Sequence, residues 1–191
     1  KRIAFLINNF NSVLNRIPKA KMIIVGDGLD IKDLIDLTRK KGLENKIIFT
    51  GKAPWTDVPK YYSLCDLFVT ASKTETQGLT VMEAMGASKP VVAIRDESFE
   101  LMITDKKDGL FFDDEKSYVD MIYEVYKNKK LRDEISFNAR LTADKYSPCN
   151  YAKNVLKVYD KVISKDTNVV KKVVHNVKKI FTKSGGKKWK N

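Results

Sequence analysis

Five short apolar runs, at residues 22–25, 47–50, 67–69, 91–94 and 109–112, alternate with stretches of helical spacing. No other feature constrains the fold as much. Runs this short and continuous, each bounded by turn signals, suit strands covered on both faces, and strands alternating with helices build a parallel sheet. The expected class is α/β, a doubly wound parallel sheet. Helices are expected over 3–14, 29–39, 58–63, 78–85, 115–128, 130–145 and 150–163, with Gly42 as a stop for the second and Ser147-Pro148 separating the last two. In the first of these, Ala4, Phe5, Ile7, Leu14 and Ile17 fall on or near one face.

A hydrophobic fraction of 43% in 191 residues supplies a core and excludes disorder throughout. No stretch approaches the roughly 18 apolar residues of a spanning helix, and the first residues lack the pattern of a signal peptide, so the chain is expected to face the cytosol. Two cysteines, Cys65 and Cys149, and one histidine, His175, exclude a disulfide framework, a zinc site and a convincing Ser-His or Cys-His pair. Chemistry here falls to carboxylates, amides and cations, and no metal site is expected.

The segment 71–85 lies where a strand gives way to a helix, the ligand-binding edge of an open α/β sheet. It holds Glu75 in the loop and Glu83 in the helix, flanked by Val81, Met82 and Ala84. Those neighbours predict a buried Glu83, and a buried carboxylate needs a partner such as a ligand hydroxyl. The amides near Gly78, Leu79 and Thr80 open the helix and suit a phosphate oxygen or sugar hydroxyls. A plainer alternative has Glu75 capping the helix and Glu83 pairing with a surface lysine.

Around these residues the chain resembles the donor domain of retaining GT-B glycosyltransferases, the group 1 enzymes with a Glu-x7-Glu motif. The resemblance extends in order and spacing through Ile24-Val25-Gly26-Asp27-Gly28, Ile48-Phe49-Thr50-Gly51, Val58-Pro59-Lys60-Tyr61-Tyr62, Asp66-Leu67-Phe68-Val69, Glu83-Ala84-Met85, Lys89-Pro90-Val91-Val92-Ala93 and Asp108-Gly109-Leu110. It implies a Rossmann-like donor-binding domain over residues 1–164, one half of a GT-B fold, while residues 165–191 read by charge and spacing as a basic amphipathic tail. By this resemblance Glu75 holds donor-sugar hydroxyls, Glu83 holds ribose hydroxyls, and the Gly78, Leu79 and Thr80 amides face the sugar and diphosphate. Lys1 corresponds to the lysine that neutralises the departing diphosphate; Lys52 and Ala53 lie beside the base; Gly26, Asp27 and Gly28 let the backbone approach the nucleotide. No cofactor or metal is implied, since the sugar nucleotide is the substrate.

Two departures from the family pattern stand out. The family's first strand, ending in Gly-Arg, and its N-terminal acceptor domain do not precede Lys1 in this sequence. The resemblance therefore implies the C-terminal part of a larger enzyme, inactive or nearly so alone, with that acceptor domain as its partner. Ser88 also stands where the family ends the helix with glycine, and a left-handed serine there costs on the order of 1 kcal/mol.

Within the family, Glu75-Thr76-Gln77-Gly78-Leu79-Thr80 is similar to the version in diacylglycerol glucosyltransferases, and acids at Asp96 and Glu97 replace the usual Gly-Gly pair. The resemblance thus implies UDP-glucose as donor and a membrane lipid as acceptor. The charge agrees: of the net +12, residues 165–191 carry +8. Val169, Val170, Val173, Val174, Val177, Ile180 and Phe181 take one helical face there, with Lys171, Lys172, Lys178 and Lys179 on the others and further lysines around Trp189. That pattern predicts an interfacial helix that orders on an anionic membrane, at roughly 1 kcal/mol per lysine, on the inner face of the cell membrane. Packing of this helix on the acceptor domain is an alternative; nucleic-acid binding has the charge but no recognition motif. A retaining transferase acting on a soluble saccharide, a polysaccharide precursor or a protein, and a nucleotide-binding module without catalysis, are the alternative functions.

Overall fold

The opening helix, α1 (Ile3–Arg16), buries Leu6, Ile7, Phe10 and Val13, residues that recur every three or four positions and so share one side of the helix. Strands and helices then alternate: β1 (Met22–Ile24), α2 (Ile31–Lys40), β2 (Ile47–Phe49), α3 (Val58–Leu64), β3 (Phe68–Thr70), α4 (Leu79–Gly86), β4 (Val91–Ile94), α5 (Glu97–Glu100) and β5 (Leu110–Phe112). The helices α6 (Glu115–Lys127) and α7 (Lys129–Lys145) complete the series. This computed structural model describes residues 1–75 and 77–162. Residues 1–146 form one unit, and a second begins at Ser147.

Every strand pairing is parallel, as expected of an α/β chain, but the strands divide into two sheets, β1-β2 and β3-β4-β5. Met22 stands opposite Ile47 in the first, and Phe68 opposite Val91 and Val92 opposite Leu110 in the second. Coverage on both faces holds for β4 and β5, whose residues are all buried. It does not hold for the pair. Ile23 and Ile48 are 39% and 44% exposed, because alternate side chains of a pleated strand point to opposite faces and only one face of β1-β2 is covered by described residues.

Aromatic packing joins the larger sheet to the helices. The rings of Phe5 and Phe112 stack at 5.8 Å, and Tyr118 meets Phe112 edge-on at 5.4 Å, so α1, β5 and α6 share one cluster. Beyond β4, Arg95 lies over the Phe111 ring and reaches Glu100, Asp105 and Asp113 at 3.1, 3.1 and 3.0 Å. The short helix α5, which alternation of apolar residues does not announce, starts where the Asp96 side chain accepts from the Ser98 amide.

Ser88 does adopt the left-handed conformation, with φ 57°. It closes α4 in a two-bond turn, in which the Ser88 amide donates to the Met85 carbonyl and the Lys89 amide to the Ala84 carbonyl. The helix expected from residue 150 begins instead at 148, since proline is well suited to a first helical turn, where its missing N–H is not needed. Among the described residues, no helix is long and apolar enough to cross a membrane. The tail residues Lys171, Lys172, Lys178, Lys179, Phe181 and Trp189 lie outside the described residues.

Candidate functional site

From the end of β3 the chain dives through Ala71 and Ser72, both buried, surfaces at Lys73 and Thr74, and half-buries Glu75 before turning into α4. Gly78 makes that turn with φ 56°. A side chain at this position is disfavoured by the left-handed backbone, and an added Cβ would also displace the flexible end of Met102, whose Sδ would stand 2.8 Å from it. Met102 thus fills the space under the loop and sets how α4 enters.

Lys1 and Glu75 meet here. The Lys1 ammonium donates to Glu75 Oε1, and the two side chains are 58% and 12% exposed. The lysine beside it holds the Glu75 carboxyl below the usual carboxylate range, against the opposing effect of burial, and the Ser72 hydroxyl helps. That hydroxyl is fully buried and makes no hydrogen bond of good geometry among the described residues, so it can turn toward Glu75.

Glu83 departs from expectation: it is exposed, not buried. Its sequence neighbours Val81 and Ala84 do enter the core, but a helix turns about 100° per residue, which places Glu83 with Leu79 and Thr80 on the outward face of α4. Nor does it pair with a lysine among the described residues. Its Oε2 accepts a hydrogen bond of 2.9 Å from the Tyr62 hydroxyl of α3. Glu75 does not cap the helix among the described residues: Gly78 stands at the helix start, and the bond given for Glu75 is the one from Lys1.

The start of α4 therefore has donors to spare. Val81 and Met82 amides both donate to the Gly78 carbonyl, at 2.9 and 3.1 Å, while those of Leu79 and Thr80 find no acceptor among the described residues. Two N–H groups without an acceptor among the described residues, the positive end of the helix dipole, and the Lys1 ammonium paired with Glu75 thus border one loop, with Glu83 further along α4. Such an arrangement is chemically suited to an anion.

The second cluster of expected residues sits at the ends of β1 and β2. Gly26 and Gly51 bridge the two strand ends, the Gly26 amide donating to the Gly51 carbonyl at 3.0 Å, and nothing lies within 4 Å of the position a Cβ would take on either. Asp27 turns back to accept from the Gly28 amide at 2.8 Å, so this side chain shapes its own turn. Lys52 is exposed and Ala53 half-buried just beyond. Among the described residues, no hydrogen bond or ion pair links this cluster to Glu75 or Glu83.

Sequence reasoning missed Tyr62 and Ser72 as parts of the site, although both lie within or beside quoted motifs. A tyrosine ahead of a strand reads as core, and only the fold brings its hydroxyl to α4. Gly51 was read as a strand stop; its position across from Gly26 makes it half of an open rim.

Comparison with known proteins bears on what the site is for. Residues 1–142 match the family described as glycosyl transferases group 1. An alpha-monoglucosyldiacylglycerol synthase of Acholeplasma laidlawii is 32% identical over 172 residues, which cover 90% of this chain and 43% of that protein. A protein of the same name from Streptococcus pneumoniae is 30% identical over 165 residues, covering 86% of this chain and 37% of its own length. Anabaena HepE in complex with UDP is similar in fold, with a TM-score of 0.76 and 22% identity over 84% of this chain and 45% of that one. The chain spans about two fifths of the length of these curated relatives.

Proposed function

The chain belongs to the glycosyl transferases group 1 family, and from that premise we propose that it is the donor-binding part of a retaining hexosyltransferase, moving glucose from UDP-glucose to a membrane lipid such as diacylglycerol. The observation that carries this is the convergence on one loop of the Lys1–Glu75 ion pair and the Leu79 and Thr80 amides, which find no acceptor among the described residues. As the bond between sugar and diphosphate breaks, negative charge gathers on the leaving nucleotide. A fixed ammonium and fixed amides therefore help most in the transition state, where that charge is largest.

In this reading Glu75 accepts hydrogen bonds from the donor sugar and Glu83 from the ribose. The Gly26-Asp27-Gly28 turn, with Lys52 and Ala53, frames the base; without a Cβ at Gly26 or Gly51, a flat ring can lie against the backbone. The leaving phosphate oxygen takes the acceptor proton on the face from which it departs, which preserves configuration at the sugar carbon. The sugar nucleotide is consumed as substrate, and no metal enters the step.

The acceptor side is proposed from two supports. Both named relatives make a glucosylated diacylglycerol by their names, and residues 165–191 carry a charge of +8 suited to an anionic bilayer. The enzyme then works at the cytoplasmic face of the membrane as a peripheral protein, and an N-terminal domain of the same enzyme holds the lipid. Residues 1–191 alone transfer little or no sugar.

Calorimetry of this chain against UDP, GDP and ADP, each with and without its sugar, tests the donor assignment. Tight binding of UDP and UDP-glucose is expected, and failure of every nucleotide to bind overturns it. In the whole enzyme, Glu75→Ala abolishes most turnover if the protein is a transferase; a mere loss of affinity points to a binding module.

A further inference from the structure

Tyr62 lies in α3, one helix away from the acidic pair, and its ring packs on Phe68 at 5.8 Å. Its hydroxyl sits between two acceptors, Glu83 Oε2 at 2.9 Å and the Thr80 carbonyl at 3.2 Å. The one proton it carries thus ties α3 both to the first turn of α4 and to the carboxylate on that turn. Burial, then the neighbouring Glu83, pushes the phenol well above its ordinary range, so the proton stays in place across the physiological pH range.

Glu83 is otherwise an exposed residue on the surface of a short helix. Such a side chain samples several rotamers in water, and a ligand that uses it must bear the entropy of freezing it. Tyr62 has already done so. No other described residue donates to Glu83, so fixing Oε2 leaves Oε1 available on the outward face of α4, which carries the Leu79 and Thr80 side chains as well.

We infer that Tyr62 is a positioning residue: its hydroxyl holds one oxygen of Glu83 so that the other meets the ribose hydroxyls of the donor nucleotide. The inference rests on the donor-site reading of Glu83 and adds the group that makes Glu83 effective. A tyrosine that only fills space beside Phe68 needs no hydroxyl. Tyr62→Phe keeps the ring and removes the aim.

The test is calorimetry of UDP and 2′,3′-dideoxy-UDP binding to the parent chain, Tyr62→Phe, Glu83→Ala and the double variant. Tyr62→Phe is expected to weaken UDP roughly threefold to tenfold, the worth of one hydrogen bond to a charged group in a half-exposed setting. It is expected to leave dideoxy-UDP unchanged, and to cost nothing further in the Glu83→Ala background. Equal weakening of both nucleotides, no weakening, or a loss that adds to that of Glu83→Ala overturns the positioning role while leaving the donor site intact. A Tyr62→Phe chain that does not fold overturns it too, by making the hydroxyl structural. If the parent chain does not distinguish UDP from its dideoxy form, or binds neither, the ribose role of Glu83 falls and this inference with it.

Discussion

Lys1 and Glu75 stand 74 positions apart in the chain and close an ion pair beside the first turn of α4. The carboxylate is the more enclosed partner, at 12% exposed against 58% for the lysine side chain, so the pair is unequal. Removing the lysine strands a nearly buried charge, whereas removing the glutamate releases a cation to water.

Lys1→Ala is therefore expected to raise the Glu75 carboxyl pKa toward or past its ordinary value of 4.5, read from the side-chain carbonyl carbon in an NMR titration. The sign for stability follows. A carboxyl depressed in the folded state stabilises above its unfolded pKa, and that contribution drains away as pH falls through the lower, folded value. With the lysine more than half exposed, the loss is on the order of 1 kcal/mol, seen at pH 7 and absent well below the folded pKa.

Gly78→Ala faces two separate obstacles, a positive φ and the Met102 side chain. A left-handed alanine costs about 1 kcal/mol, and the overlap adds less than the ~1–3 kcal/mol of ordinary overpacking because the flexible end of Met102 can swing aside. Pairing it with Met102→Ala should remove the overlap cost but not the backbone cost, while adding the penalty of a smaller core side chain. Urea unfolding of the two single variants and the double separates these contributions.

Ser88→Gly works in the opposite direction. Ser88 holds φ 57° at the end of α4, with its side chain exposed. Glycine relieves the left-handed strain at some entropic cost in the unfolded chain, a net gain of about 0.5–1 kcal/mol. A higher urea midpoint at unchanged m-value is the expected signature.

Arg95 gathers Glu100, Asp105 and Asp113 around one guanidinium, and Arg95→Ala leaves three acids facing one another. Because the arginine is 39% exposed, the expected loss is modest, on the order of 1–2 kcal/mol, and it shrinks in high salt. Arg95→Lys should recover little of it, since one ammonium cannot reach three carboxylates and stack on Phe111.

For the tail, sedimentation with anionic liposomes should fall sharply when residues 165–191 are deleted, and binding of the intact chain should weaken with salt. Full binding by the shortened chain removes the tail from the membrane assignment.

Periodicity made the elements legible: the five strands were expected within a residue or two of their observed bounds. These depend on local preferences, which travel with the residues. What stayed hidden depends on contacts made by distant parts of the chain. Val81, Met82 and Ala84 suggested a buried Glu83, because adjacency in sequence was taken for adjacency in space, and the helix turned it outward. Tyr62 reached Glu83 across 21 positions, and Arg95 met Asp113 across 18, spans that no window of helical or strand spacing covers. The division of the strands into two sheets was equally invisible, since an apolar run shows that a strand exists and not which neighbour it takes. The roles given to Lys1, Glu75 and the α4 amides came from family resemblance, while their meeting at one loop is a matter of geometry.

The half-covered pair β1-β2 also makes the molecule uneven in firmness. Two short strands with Ile23 and Ile48 open to water have less apolar contact to hold them than the enclosed β4 and β5. In deuterium oxide, backbone protons of β1 and β2 should swap within a time that leaves those of β4 and β5 untouched, and a guest clasped at the Gly26–Gly51 rim should slow that swap. One end of the molecule would then firm up on contact with its guest, and the other would already be rigid.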